Sequence, residues 1–190
     1  MNGLEVHGYA IVSRDDRIAG ADGVMPASLK NEADWAYFQA ELARADMTLL
    51  GRASHEATPN LKRRRRVVVS RSARGLEERA DAYWWNPLEM TWAAAAAILA
   101  PQGGRLAVPG GQVPFDLFLA EGFTAFHLSR ATRALLPGGR GIFAACEADA
   151  SAEELLAGSG LRPEPTRTID PVEAVTLTVW RRDRAPRVRR

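Results

Sequence analysis

Apolar positions come along this chain in short bursts whose period switches between two and three to four residues. Residues 6–13 alternate, with Tyr9, Ile11 and Val12 among them, and read as a first strand. Residues 14–26 are turn-rich and hold Gly20 and Gly23. Within 32–43, Trp35, Phe38 and Leu42 fall at i, i+3 and i+7, which places them on one face of a helix, and Asn31 stands as its N-cap. Residues 47–50 form a short buried strand ending at Gly51-Arg52, and 66–70 another, built on consecutive valines. Further on, the pattern predicts a strand at 82–85 and a helix at 88–100, stopped by Pro101 and the Gly103-Gly104 turn. A strand at 105–108 and a helix at 114–120 follow. Strands alone come after that, at 124–129, around 161–168 and at 175–181. Strands alternating with helices and then strands alone predict an α/β fold, with a mostly parallel sheet and an antiparallel finish. One domain is expected over 1–182, with 183–190 a charged, frayed tail.

The chain has 190 residues, enough for one domain with a sizeable core. No apolar run is long enough to span a membrane; the alanines of 93–97 are too few and lie between polar residues. No basic-then-apolar leader opens the sequence, so the cytoplasm is the expected compartment. A single cysteine, Cys146, excludes an intrachain disulfide framework and a cysteine-built metal cluster. The formal net charge is +2, and the positive charge gathers at 62–66 and 181–190. Neither cluster has the aromatic interleaving or recognition-helix pattern of a nucleic-acid surface. Both read as solvated loop charge, with a contribution of 62–66 to phosphate binding left open and no nucleic-acid partner expected.

The chemistry concentrates at strand ends. Leu106-Ala107-Val108-Pro109-Gly110-Gly111-Gln112-Val113 reads as a strand, a double-glycine turn and the opening of a helix. Such an opening presents unpaired amides and the positive end of a dipole, an anion site most often used for phosphate. In a parallel sheet, ligands gather at the carboxyl ends of strands. Two more such ends carry suitable groups: Gly51-Arg52 with Ser54 and His55, and Ser70-Arg71-Ser72. Arginine forks beside hydroxyls suit a ribose 2′-phosphate, which favours NADPH over NADH. For Arg52, Arg71 or Arg74 taken singly, solvated surface charge is the better reading; the set favours a cofactor. Asp34, beside Trp35 and one turn from Phe38, would have a raised pKa in an apolar cleft or pair with an amidine-like group. A first-turn acid that favours the helix dipole is the simpler reading of the residue alone. His55 and His127 stand without a second ligand at a useful spacing, so no metal site is expected. There is no Gly-x-Ser-x-Gly elbow and no P-loop.

Taken in order, several motifs resemble dihydrofolate reductases and their riboflavin-biosynthesis reductase relatives. They are Ala10-Ile11-Val12-Ser13, Arg17-Ile18-Ala19-Gly20, Asp22-Gly23-Val24-Met25-Pro26, Asp34-Trp35-Ala36-Tyr37-Phe38, Ala45-Asp46-Met47-Thr48-Leu49-Leu50-Gly51-Arg52, Val67-Val68-Val69-Ser70-Arg71-Ser72, Val108-Pro109-Gly110-Gly111 and Pro137-Gly138-Gly139-Arg140-Gly141-Ile142-Phe143. The resemblance covers most of the chain. It implies a three-layer α/β/α fold and NADPH lying across the strand ends. It assigns Gly51, Arg52 and Ser54 to the adenosine side and pyrophosphate, and Ser70, Arg71 and Ser72 to the 2′-phosphate. Gly110, Gly111, Gln112 and Val113, after Val108, become the pyrophosphate turn. Ala10, Ile18 and Gly20 become the surround of the nicotinamide. Asp34 takes the place of the carboxylate that grips the substrate ring, Phe38 that of the aromatic packed on it, and Met25 joins them on the substrate side. The chain departs from the pattern at Ala27, where dihydrofolate reductases keep an aromatic, and at Gly122-Phe123-Thr124-Ala125-Phe126, where the riboflavin branch has an acidic pair. The resemblance thus implies a divergent, stand-alone reductase of a small pterin-like or ribosylaminopyrimidine-like substrate, with a homodimer as in the riboflavin branch. The alternative is a non-catalytic nucleotide-binding or regulatory protein on the same fold.

Overall fold

The computed structural model describes residues 3–148 and 150–183. In chain order the elements are β1 (Leu4–Ser13), β2 (Arg17–Ala19), α1 (Glu32–Leu42), β3 (Met47–Gly51), α2 (Arg52–Ala57), β4 (Arg66–Val69), β5 (Leu76–Glu78) and β6 (Tyr83–Trp85). Then come α3 (Trp92–Leu99), β7 (Gly104–Val108), α4 (Gln112–Glu121), β8 (Ala125–Ala131), β9 (Arg140–Gly141), α5 (Ala152–Gly158), β10 (Leu161–Pro163), β11 (Arg167–Asp170) and β12 (Val175–Arg182). Single turns of 3₁₀ helix lie at Ala27–Leu29 and Ala144–Glu147.

The main sheet runs β10-β12-β8-β1-β7-β3-β4-β6-β5, with β11 also on β12. The centre is parallel, from β8 through β1, β7, β3 and β4 to β6. The C-terminal strands are antiparallel, as the pattern predicts. The opposite edge is antiparallel too, because β5 folds back on β6. A separate ribbon pairs β2 with β9.

Alternation along the strands gives the sheet two unlike faces. One carries Val6, Val12, Met47, Leu49, Val67, Leu106, Val108, Phe126 and Leu128 and is closed by apolar side chains of α3, α4 and α5. Phe115, Phe118, Phe123, Phe126 and Phe143 meet there in edge-on and tilted pairs. Gly8 makes room for them, since a Cβ there would come 2.3 Å from the Phe126 ring. The other face holds His7, Tyr9, Thr48, Arg66, His127 and Ser129, all buried. Helix α1 covers part of it through Phe38 and Leu42, which pack with Tyr9 and Ala107. On the same side the ring of His55 in α2 meets Trp84 edge-on. Helices on both faces make the three layers α/β/α.

The helix ends explain where the pattern misplaces boundaries. Asn31 caps α1 by accepting from the Asp34 amide at 3.0 Å. The third helix starts at Trp92 and not at 88, because Asn86 closes a turn over 86–90 and Thr91 then caps the helix through the Ala94 amide. Helix α5 was absent from the expected elements, although Ser151 and Glu154 form a capping box readable from the residues alone. Strands β10 and β11 replace the single strand expected at 161–168. Trp35 is not on a buried face: it is 61% exposed.

The basic run is a solvated loop only in part: Lys62, Arg63 and Arg65 are exposed, Arg64 is half-buried and Arg66 is buried in β4. Arg64 donates to the Leu42 carbonyl at 2.7 Å, Arg65 to the Leu99 carbonyl at 2.6 Å and Arg66 to the Thr58 carbonyl at 2.7 Å. Each arginine therefore serves the C-terminal carbonyls of a different helix, where positive charge is favoured. Lys62 and Arg63 do stay exposed. Of the charged segment 183–190, all but Asp183 lies outside the described residues. Among the described residues, no helix is long and apolar enough to cross a membrane.

Candidate functional site

An open cleft of about 770 Å³ lies above the carboxyl ends of β3 and β7, between α1, α2 and the opening of α4. Its phosphate-side end is built from two glycines. Gly51 is the N-cap of α2 and Gly111 the N-cap of α4, so neither cap supplies a side-chain acceptor. The amides of both first turns are left to a ligand. The two caps face one another: a Cβ on Gly111 would lie 3.9 Å from the Gly51 nitrogen and 3.2 Å from Pro114 Cδ. Gly111 has φ 93°, a conformation that side chains resist.

At the other end, Asp34 points into the cleft from the first turn of α1. Burial raises its pKa above the ordinary carboxylate value, and a hydrogen bond with Ser129 of β8 holds it partly back. Aromatic rings line the wall beside it. Trp35 and Phe38 lie 5.6 Å apart, Phe38 and Tyr9 5.8 Å, and Tyr9 stacks on His127 at 4.5 Å. Met25 and Val113 are exposed at 40% and 61%, leaving apolar surface at the mouth. Thr48 also lines the cleft, and its buried hydroxyl has no protein partner.

Most of the residues singled out in the sequence meet here. Ala10, Ile18, Met25, Asp34, Phe38, Gly51, Arg52, Ser54, Gly110, Gly111, Gln112 and Val113 all line the cleft. The others lie beside it. Gly20 closes the 20–24 turn, its amide donating to the Val24 carbonyl and its carbonyl accepting from the Gly23 amide. Val108 is fully buried, just before the lining residue Pro109. Ser70, Arg71 and Ser72 end the neighbouring β4; the hydroxyls of Ser70 and Ser72 are 2.9 Å apart and Arg71 is exposed. Arg52 is exposed and paired with Glu56 at 2.8 Å.

Several lining residues carried no local signal. Tyr9, Tyr37, Thr48, His127, Ser129 and Arg140 join the cleft through packing that spacing along the chain does not reveal, while Arg64 and Arg66 bring to it part of the basic run for which a role in phosphate binding was left open. His127 is not alone either. Its Nε2 is 3.3 Å from His7 Nδ1 and its Nδ1 2.6 Å from Tyr37 Oη. Burial holds both imidazoles below the ordinary histidine value, with Arg105 adding to the effect at His7 and the His7 charge at His127.

No protein-family model and no curated protein sequence matches the chain. Likeness appears at the level of three-dimensional structure. Dihydrofolate reductase from Enterococcus faecalis, solved with NADP(H), superposes with a TM-score of 0.66 over 95% of this chain and 97% of its own, at 15% identity. The chain has the dihydrofolate reductase-like fold. A pyrimidine reductase-like protein from Corynebacterium diphtheriae shares that fold with a TM-score of 0.67, over 97% of this chain and 94% of its own, at 14% identity. So does a diaminohydroxyphosphoribosylaminopyrimidine deaminase/5-amino-6-(5-phosphoribosylamino)uracil reductase from Thermotoga maritima, with a TM-score of 0.62 at 14% identity. The match covers 95% of this chain but 57% of that one, so the chain spans little more than half of the bifunctional protein. At such identities the likeness is one of fold.

Proposed function

We propose that the chain is an NADPH-dependent reductase of a small, flat heterocycle of pterin or ribosylaminopyrimidine type. The reading rests on one observation: two glycine-capped helix N-termini and a half-buried carboxylate open into the same cleft. The first pair suits a pyrophosphate and the second a protonatable ring nitrogen. The structures that share the fold include reductases, one of them holding NADP(H).

The residues present fit the cofactor. The turn at Gly110-Gly111 leaves the backbone bare, with nothing within 4 Å of a Cβ at Gly110. Gly51, Gly111, Gln112 and Val113 would hold the pyrophosphate through backbone amides. Arg52 and Ser54 would flank it, with Ser70, Arg71 and Ser72 on the ribose 2′-phosphate and Ala10, Ile18 and Gly20 around the nicotinamide. When bound, NADPH supplies the hydride. The protein supplies binding, orientation and a proton. Phe38, Trp35 and Met25 would sandwich the substrate ring, excluding water from its faces. Asp34, whose pKa is raised by burial, would pass a proton to a ring nitrogen and so make the adjacent carbon a better hydride acceptor. Ser129 then stabilises the carboxylate that remains.

Nucleotide fluorescence during titration with NADPH, and separately NADH, tests the cofactor. Tight NADPH binding that is lost in Arg71→Ala supports the site; no binding of either nucleotide overturns it. Dihydropterins and pyrimidines are then screened for NADPH oxidation. Binding without turnover on any of them, with Asp34→Asn indistinguishable from the wild type, would favour a regulatory nucleotide-binding protein.

A further inference from the structure

The polar face under α1 holds a cluster for which the reductase reading has no use. His7 and His127 come from neighbouring parallel strands, β1 and β8, and share a face because Tyr9 is the register partner of His127. Glu41 descends from the last turn of α1 onto the same spot. One ligand atom from each of the three lies within 4.8 Å of the others, and all three residues are buried, at 3%, 4% and 7% exposure for His7, His127 and Glu41.

We propose that His7, Glu41 and His127 bind one divalent ion of the zinc class, clamping the C-terminal end of α1 to β1 and β8. The separation of the two imidazole nitrogens supports this. His7 Nδ1 and His127 Nε2 are 3.3 Å apart. Two nitrogens each about 2.0–2.1 Å from a tetrahedral zinc are separated by about 3.3–3.4 Å. Two imidazoles and one carboxylate are also a ligand set that zinc accepts, with a fourth position left over.

The surroundings match a built site. A ligating histidine almost always has its other ring nitrogen held by a carboxylate, carbonyl or water, which fixes the tautomer. Here His7 Nε2 lies 3.4 Å from a Glu5 carboxylate oxygen, and His127 Nδ1 lies 2.6 Å from Tyr37 Oη. With both outer nitrogens protonated and donating, the two inner lone pairs face one another, ready for a cation. Glu41 is steered by Arg44 at 2.5 Å and by Arg105 at 3.6 Å. Arg105 also reaches Glu5, at 3.4 Å. These arginines offset the two acids, and Arg181 and Arg167 add positive charge near the imidazoles, so the pocket holds an ion less tightly than an all-acid site would. His127 lines the cleft as well, which gives the ion a way in.

Without an ion, the same atoms form a closed chain of hydrogen bonds from Tyr37 through His127 and His7 to Glu5. The test therefore measures uptake. The full chain is stripped with a chelator and titrated with Co²⁺ under visible absorption, then with Zn²⁺ in competition, and its metal content is counted. One ion per chain is expected, with affinity falling at least about 100-fold in His7→Gln and in His127→Gln. Far-UV circular dichroism checks that each variant folds. Glu5→Gln leaves the three ligands in place and lowers affinity about 10- to 100-fold. His55→Gln leaves uptake unchanged. Zn²⁺ raises the melting temperature of the wild type but not that of Glu41→Gln. Failure of the wild type to take up an ion, equal uptake by wild type, His7→Gln and Glu41→Gln, or loss of uptake in His55→Gln overturns the proposal. None of these readouts depends on NADPH or on turnover.

Discussion

The backbone nitrogen of Gly51 stands 3.9 Å from the point where a side chain would leave Gly111, so the two helix caps close on a single small space. Gly111→Ala puts a methyl 3.2 Å from Pro114 Cδ and forces alanine to a φ of 93°. The conformation alone costs about 1–2 kcal/mol. The variant is expected to melt lower and to bind NADPH at least about tenfold more weakly. Gly138→Ala separates the two effects. It also has positive φ, but with nothing within 4 Å of the added carbon, so stability falls while NADPH binding holds.

Asp34 gives a pH signature. Burial lifts its folded pKa above the unfolded carboxylate value of 3.8, so folding favours the protonated form. The stabilisation is complete below the unfolded value and is lost as pH rises through the folded one. Asp34→Asn escapes that loss. It is expected to melt higher than the wild type at pH 7, with the gap closing toward pH 4, while turnover falls about 100-fold or more. Thermal unfolding across pH and NADPH oxidation read the two halves.

Arg130 ties the end of β1 to the opening of α5. It donates to the Ser13 carbonyl at 2.9 Å and to Asp16 Oδ1 at 2.6 Å, and also meets Glu153. Asp16 accepts in addition from the Ala152 amide at the opening of α5. Arg130→Met leaves the buried Asp16 unmatched, and a loss of about 3–5 kcal/mol in urea unfolding is expected. Adding Asp16→Asn should restore part of it, since no buried charge then remains unpaired.

The arginines of the basic run are expected to act through helix ends. Replacing Arg66 by Met removes the bond to the Thr58 carbonyl from a buried position and should cost about 1.5–3 kcal/mol. Lys62→Ala and Arg63→Ala, at exposed positions, should change the urea midpoint by less than about 0.5 kcal/mol equivalent.

What could be read in advance follows from which physics is local. The parallel strands showed because β3, β4 and the second half of β7 are buried and mostly apolar, Thr48 and Arg66 being the buried polar exceptions. The glycine turn before α4 and the Asn31 cap showed because each is a local requirement. Helix α2 did not, because Arg52-Ala53-Ser54-His55-Glu56-Ala57 has no buried residue and hence no stripe. Trp35 was grouped with Phe38 and Leu42 on one helix face, yet it is exposed, because periodicity registers apolarity and not the direction of a cleft. Arg65 is exposed, as a loop arginine should be, but its bond to the Leu99 carbonyl was not legible because that partner is 34 residues away. His7 and His127 are 120 residues apart, and only the pairing of β1 with β8 makes them neighbours.

The margins of the main sheet set the terms on which two copies of this chain could meet. One margin is β5, three residues long; the other is divided between β10, also three residues and containing Pro163, and β11, whose register shifts between Thr168 and Asp170. A proline has no N–H to offer, and short or bulged margins give an incoming strand little to zip against. Continuous strand-to-strand joining of subunits is therefore disfavoured. A homodimer of this protein would have to assemble through helices, loops or the cleft rim, where ligand occupancy could influence it.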